Sequence, residues 1–426
     1  MSFSPNLSKI IFLIALLFSI LLLIMPPPVE IEPRIMRTAG VCLFGVALWS
    51  TAVVTPALGS LMFLFISVVM AVAPASIVFS GFYAGATWLL FGGLVIGLGV
   101  RRAGLDVRLI NTLLKHLPAS YLGIVYGVFS VALMLAWVVP SASARVALLV
   151  PIILSLSEKL GFRVGSKGQA GLVLASAMGT MTPAFGILPS NVPNMALFGA
   201  IESIYGVRLS YGEYLLLNFP VIGLGALLIY PLVITFLFTD QPKPVINNEV
   251  RENWSLVETR LLIILTAALA LWVTDTIHGV SPAWVALGAA IIFLLPKVGF
   301  LAPKILSKEI DYGPLLFLAG VIGLGAVATH SGLGEKIATL LLEVVPLEPG
   351  ADKTNFSLIV MIGTVVGIFT TMPAQPSVMV PMASAMTLAS GWSLKSVLLA
   401  PVFTWTMFPF FYQAPPVVLA LSLIHI

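Results

Sequence analysis

Charge is what this sequence has least of. Asp, Glu, Lys and Arg together make up 9% of its 426 residues, against roughly 25% in soluble domains. That deficit excludes a water-soluble enzyme of this length. Hydrophobic residues at 59% and a mean hydropathy of +1.09 make lipid the solvent of the fold. Cysteine is limited to Cys42, which excludes an intrachain disulfide, a CxxC redox pair and a zinc cluster. His116, His278, His330 and His425 fit no metal-binding spacing, and no nucleophile elbow appears, so a membrane-embedded enzyme lacks its machinery. No acid falls inside an apolar span; Glu202, Glu213, Asp240, Asp275 and Asp311 sit at loops or span ends. A proton relay needs an intramembrane carboxylate or histidine, and only His330, at a span end, is a candidate. Proton symport therefore ranks below exchange or sodium symport. The net charge of +4 is not gathered into one patch, which excludes nucleic acid as a partner. No cofactor and no metal site is expected.

What the chain has in abundance is apolar runs. The first, Ile10 to Met25, ends at Pro26, Pro27 and Pro28. It lacks a small-x-small cleavage site and is read as an uncleaved first span within 1–33. At about 20 residues per helix, further spans fall near Ala39–Val54, Leu58–Ala73, Thr87–Val100, Ala170–Leu188, Leu215–Phe238, Leu261–Val273, Pro282–Leu295 and Pro314–Ala328, with a last one from Val397. Tyr121–Leu156 and Phe356–Ser390 are too long for one helix, and proline and small polar residues interrupt each midway. The expectation is an all-α polytopic membrane protein of about 10–11 spans. Residues 239–260 form its principal polar loop.

The two sides of that loop resemble each other. Leu89 to Gly99 matches Leu315 to Gly325 at eight of eleven positions. Each copy reaches a Gly-Leu pair, Gly104-Leu105 and Gly332-Leu333, then an amphipathic stretch, an interrupted apolar pair and a long span with a proline break. The breaks are Asn191-Val192-Pro193-Asn194 and Gln413-Ala414-Pro415-Pro416. Corresponding breaks in two halves are what transporter repeats show. Repeat 1 is placed at 34–238, with a hairpin near 121–162 and a broken helix near 170–200. Repeat 2 is placed at 261–420, with a hairpin near 356–391 and a broken helix near 397–420. Arg101, Arg102, Arg108, Lys115, Lys159, Arg163 and Lys167 face only Asp106 and Glu158 in the first half, which marks that side, with the 239–260 loop, as cytoplasmic. In the second half Lys336, Lys353 and Lys395 are outnumbered by Glu335, Glu343, Glu348 and Asp352. The repeats are expected to be inverted, with re-entrant hairpins.

This order of elements resembles the divalent-anion/sodium symporter (DASS) family over essentially the whole chain. The family's hairpin tips carry Ser-Asn-Thr with a proline ten residues after the serine. Here Ser141-Ala142-Ser143 precedes Pro151 at that spacing, and Pro140 to Arg145 resembles the tip of a citrate/dicarboxylate-exchanger branch. Pro381 places Thr371-Met372-Pro373 at the second tip, within Thr370 to Ser377. The resemblance implies a site for a dicarboxylate and sodium where tips and breaks meet. Its substrate-binding residues would be Ser141, Ala142, Ser143, Arg145, Asn191, Pro193, Asn194, Thr371, Met372, Pro373, Gln375, Gln413, Ala414 and Pro415. Its ion-binding residues would be Ser141, Ser143, Ser190, Thr370, Thr371 and Ala414. Ala142 and Met372 stand where the family has its tip asparagine, so sodium symport and exchange both stay open. The resemblance also implies a homodimer.

Physical chemistry supports an anion site independently. A helix that starts inside the membrane exposes unpaired N–H groups and partial positive charge. Starts are expected after Pro140, Pro193, Pro373 and Pro415, with Ser141 and Ser143 available as caps. Half-helix N-termini converging on one point bind anions. Taken alone, the two serines read equally as plain caps. Arg145 is the only charged residue between Tyr121 and Ser157. At a re-entrant tip it lies deep, and its fork suits a carboxylate; if both flanking segments span fully, it lies in an outside turn instead.

The whole reads as a secondary active transporter of small organic dianions, of the C4-dicarboxylate/citrate class, working by alternating access as an exchanger or a sodium symporter. An inorganic divalent anion such as sulfate is the alternative cargo, and a passive channel would need no repeated breaks. With no targeting extension, the expected location is the bacterial inner membrane. The terminal Leu421-Ser422-Leu423-Ile424-His425-Ile426 resembles the translation of a transposon adapter and is read as a non-native end.

Overall fold

The computed structural model describes residues 5–28, 31–105, 108, 118–137, 139, 141–243, 254–410 and 413–424. The helices in chain order are α1 (Pro5–Ile24), α2 (Pro33–Thr51), α3 (Pro56–Val69), α4 (Gly85–Ala103), α5 (Tyr121–Ala136), α6 (Ala142–Lys159), α7 (Lys167–Met181), α8 (Val192–Tyr205) and α9 (Tyr211–Phe238). They continue with α10 (Leu256–Val273), α11 (Pro282–Leu294), α12 (Gly313–His330), α13 (Leu333–Val344), α14 (Asp352–Phe369), α15 (Ala383–Ser390) and α16 (Pro415–Ile424). No strand occurs among the described residues. Among the described residues six helices are long and apolar enough to cross a membrane, and shorter apolar helices accompany them. The protein is an all-α polytopic membrane protein.

Local chemistry sets the helix ends. Proline opens α2, α3 and α11, where its fixed φ is helical and its missing N–H costs nothing. Serine hydroxyls cap α5, α6, α7 and α10, from Ser120, Ser141, Ser166 and Ser255. Within α9 the backbone widens to a π-helix over Phe219–Leu224. Pro220 lies there, and its ring cannot fit a regular α-helical turn.

Two differences from the sequence expectation concern the first break. The span expected over Ala170–Leu188 ends at Met181, followed by short 3-10 turns at Pro183–Gly186 and Leu188–Ser190. The break therefore occupies 182–191, where Pro183 and Pro189 withhold two N–H groups, and α8 starts at Val192, one residue before the expected proline. The amphipathic stretch expected after Leu105, the Pro140 position and most of the polar loop lie outside the described residues.

The chain forms two compact units. One comprises 1–87, 192–209 and 311–414; the other comprises 88–191, 210–310 and 415–426. The chain changes unit at both breaks, between Asn191 and Val192 and between Ala414 and Pro415.

In the first unit, α12 is the buried axis, with every residue from Leu318 to Ala328 in the interior. Apolar burial drives little association between helices in lipid, so close packing through small residues takes over. Gly81 shows how close: a Cβ there would lie 2.1 Å from the Ala319 carbonyl oxygen. Ser19 donates to the Gly40 carbonyl at 2.7 Å, joining α1 to α2. In the second unit, α5, α6 and α7 share a core of Val125, Val128, Val146, Val150 and Leu172, to which α16 adds Ala420.

Candidate functional site: a chain break fastened to each hairpin tip

In the unit built around α5–α7, the hairpin turns between Ala136 and Ala142. Ser141 is the N-cap of α6 and accepts from the Ala144 N–H at 3.3 Å. Ala142 is buried and Ser143 is half-buried in the first turn. Arg145 follows on the same turn, 1% exposed. Its Nη1 donates to the Val139 and Ser190 carbonyls, the latter at 2.9 Å, and its Nη2 to the Thr180 carbonyl at 2.5 Å. One guanidinium thus binds the tip, the end of α7 and the break.

A guanidinium has five N–H donors, and these three bonds leave Nε and one N–H of Nη2. The buried Nε has no partner among the described residues. No carboxylate there pairs with Arg145 either. A buried charge needs partners, and here backbone oxygens, each carrying partial negative charge, supply them. Ser190 adds a second fastening: its hydroxyl donates to the Ala136 carbonyl at 2.8 Å. Trp137 closes the tip edge-on against Phe219 of the π-helical turn, with ring centroids 5.4 Å apart. Thr182 Oγ1, in the break, is buried without a partner among the described residues. Asn191 is buried and extended, at φ −156° and ψ 164°.

The other unit reaches the same kind of arrangement with neutral groups. Its hairpin runs from α14 through Thr370–Gln375 into the helical run ending with α15. Gln375, 2% exposed, donates from Nε2 to the Gly363 carbonyl and to Thr404 Oγ1, the latter at 2.8 Å. Gln413, in the break, donates from Nε2 to the Gly367 carbonyl and accepts from the Phe410 N–H at 3.0 Å. Gly363 and Gly367 lie one turn apart on α14. A Cβ at Gly363 would come within 2.6 Å of Thr404 Cγ2, and one at Gly367 within 3.3 Å of Gln413 Nε2. Thr370 Oγ1 donates to the Val366 carbonyl at 2.9 Å, whereas the buried Thr371 Oγ1 has no partner among the described residues. Met372 and Ala414 are buried, and Pro373 is half-buried. Pro193 and Asn194, also buried, sit on the first turn of α8, and Pro415 opens α16.

The residues named from the sequence therefore fall into two groups. Ser141, Ala142, Ser143, Arg145, Ser190 and Asn191 belong to one unit; Pro193, Asn194, Thr370–Pro373, Gln375, Gln413 and Ala414 belong to the other. Six contributors escaped the sequence reading: Ala136, Val139, Thr180, Gly363, Gly367 and Thr404. The Gly-x-x-x-Gly spacing of 363 and 367 is a signal for close helix approach. Thr180 acts through its carbonyl and Thr404 through a tertiary contact, and neither leaves a local pattern.

Helices that break within apolar segments, with buried donors gathered at the breaks, are the arrangement that secondary transporters share. The comparison with known families agrees. The family described as "Sodium:sulfate symporter transmembrane region" matches residues 6–425, and the chain belongs to this family, the divalent-anion/sodium symporters. It is similar to a "Membrane protein" of Cupriavidus necator H16, with 25% identity over 62% of this chain and 56% of the relative. It is likewise similar to "Inner membrane protein YbhI" of Escherichia coli K12, with 25% identity over 77% of this chain and 70% of that protein. A third relative is the "L-tartrate/succinate antiporter" of the same strain, with 27% identity over 73% of this chain and 66% of that protein. The chain spans little more than half the length of the first of these. The family's description and the antiporter among these relatives are those of transporters rather than enzymes.

Proposed function

We propose that the protein carries C4-dicarboxylates across the bacterial inner membrane by alternating access, as an anion exchanger. The observation that carries this reading is Arg145, a buried cation with no acidic partner among the described residues, held by three carbonyls at a tip and a break. A fixed positive charge at an intramembrane site favours a dianion, and because it is part of the chain it cannot be left behind with a substrate. A carrier whose charge is built in needs no ion to bring charge with the cargo, which suits one-for-one exchange. The tartrate/succinate antiporter among the relatives supports the same cargo class.

In this reading each unit offers its own groups to a substrate carboxylate: the N-terminal N–H groups of α6 with Ser141, Ser143 and Asn191 in one, and those of α8 with Asn194 in the other. In the α8 unit Thr371 and Gln413 contribute neutral donors, and Gln375, whose two amide N–H groups are taken by Gly363 and Thr404, positions the hairpin that carries them. Ala142 flanks the groups of the α6 unit, whose α16 begins at Pro415, and Pro193, Met372, Pro373 and Ala414 flank those of the α8 unit. The two halves act as inverted repeats with re-entrant hairpins, and the protein works as a homodimer.

A second reading has one supporting observation. The second tip contains no cation, and its Thr371 hydroxyl is buried without a partner among the described residues. Sodium carried with the substrate would be held there by Thr370, Thr371 and Ala414, with Ser141, Ser143 and Ser190 as the corresponding groups of the first half.

Proteoliposomes separate the two. Labelled succinate is offered to sodium-free vesicles preloaded with unlabelled succinate, and to empty vesicles under an inward sodium gradient. Uptake into preloaded vesicles alone supports exchange; uptake driven by the sodium gradient alone overturns it in favour of symport. Sulfate in place of succinate tests the inorganic alternative.

A further inference from the structure

The unit containing α4–α7 encloses a cavity of about 270 Å³ that the transport reading does not use. Its walls come from α4, the end of α5, Pro189 of the break, α10 and α11. On α4 the lining residues are Leu89, Gly93, Ile96 and Val100, a spacing that puts them on one helix face. The twelve residues from Leu89 to Val100 give the slot a length of about 16 Å. That is about half of the ~30 Å hydrocarbon core, the depth of a single leaflet. Among its described lining residues Thr266 is the only one with a hydroxyl.

The two ends of the slot differ. One lies at the C-terminal end of α4, whose last turn holds Arg101 and Arg102. Trp254 lines the cavity there, and the Arg108 guanidinium sits over its indole ring, 4.9 Å from the centroid. Arg102 pairs with Glu309 and Arg108 with Glu258, while Arg101 is exposed. The other end is formed by Ala136, Trp137 and Pro189. These are the residues beside the Ser190–Ala136 hydrogen bond that ties break to tip. On one side the wall is α10, which is largely unburied, and the cavity-lining Leu262 and Thr266 are themselves exposed on it.

We propose that this slot holds one acyl chain of an anionic phospholipid. The phosphate lies at Arg101 and Arg108, and the methyl end reaches Ala136, Trp137 and Pro189. An apolar slot of one leaflet's depth fits a lipid tail rather than a soluble metabolite, and the basic end selects a negative headgroup. The chain's end supports the tip from behind, so occupancy favours the fastened arrangement of tip and break. Loss of the lipid slows transport without altering the substrate-binding groups.

The test uses the full-length protein in vesicles and reads quenching of tryptophan fluorescence. Phosphatidylglycerol with brominated chains, diluted into unlabelled phosphatidylcholine, is compared with the reverse labelling at equal bromine content. Trp137, Trp254 and Trp272 line the slot, so the brominated phosphatidylglycerol should quench with about a fivefold preference for each basic residue engaged. Arg101→Gln should reduce that preference. Gly93→Leu and Thr266→Phe, which fill the slot, should abolish it; Thr266 is exposed, so its variant folds even if the glycine variant does not. Equal quenching by the two lipids in the unaltered protein overturns the proposal. So does a preference that survives in Thr266→Phe. Neither result bears on which anion is carried.

Discussion

The Ser190 hydroxyl donates to the Ala136 carbonyl at 2.8 Å, across 54 residues of sequence. It joins the end of a hairpin helix to a break in another helix. Removing it should weaken the attachment while leaving both elements in place. Ser190→Ala leaves a buried carbonyl short of one donor and should lower stability by about 1–3 kcal/mol. A thermal unfolding scan alongside initial uptake rates checks this. Uptake should fall while the substrate specificity stays the same.

Arg145 holds its three carbonyls through a planar fork that lysine cannot reproduce. Arg145→Lys keeps the charge and loses the geometry; Arg145→Met loses both. We expect exchange to fall in both, with the methionine variant the lower. Breaking a buried charged arrangement costs about 3–5 kcal/mol, so thermal unfolding should also show the larger shift for methionine. Equal exchange rates in Arg145→Lys and the unaltered protein would remove the fork from the argument.

The second unit permits a rescue experiment. Gly363→Ala puts a methyl 2.6 Å from Thr404 Cγ2, whereas Gly367→Ala meets Gln413 Nε2 at 3.3 Å. The first should be the more damaging, by about 1–3 kcal/mol as an overpacking defect. Thr404→Ser removes the clashing methyl and keeps the hydroxyl that Gln375 binds. The double variant Gly363→Ala/Thr404→Ser should recover most of the lost folded yield in detergent.

Glu258 does two jobs at the start of α10. It completes a capping box with Ser255, accepting from the Ser255 N–H at 2.7 Å, and it pairs with Arg108. Glu258→Gln keeps an acceptor for the cap and loses the charge. Glu258→Ala loses both, including a cap of roughly 1 kcal/mol. The alanine variant should unfold at the lower temperature, and in an Arg108→Gln background the two should differ by the cap alone.

The class of the fold could be read from apolar runs and proline positions. These are local signals, and local signals survive in a linear text. The exact place of the first break did not: Asn191–Asn194 looked like the interruption, but Pro183 and Pro189 act earlier and together. Arg145 stood out as a lone charge, but the letters left open whether it lay deep as a carboxylate ligand or in an outside turn. Its partners could not be read, because a carbonyl carries no letter of its own. Gln375 and Gln413 were found through their proline-rich context, whereas Thr404 depends on the meeting of segments 29 residues apart.

Arg145 is fastened to positions 139, 180 and 190 through main-chain oxygens rather than side chains. The letters at 139 and 180 are therefore free to change wherever the backbone path holds, while the letter at 145 is not. A saturation scan would record intolerance at 145, and at 190 through its own hydroxyl. Positions 139 and 180, buried as they are, would accept residues of similar size, so a reader of that map would miss two of the points of a four-point joint.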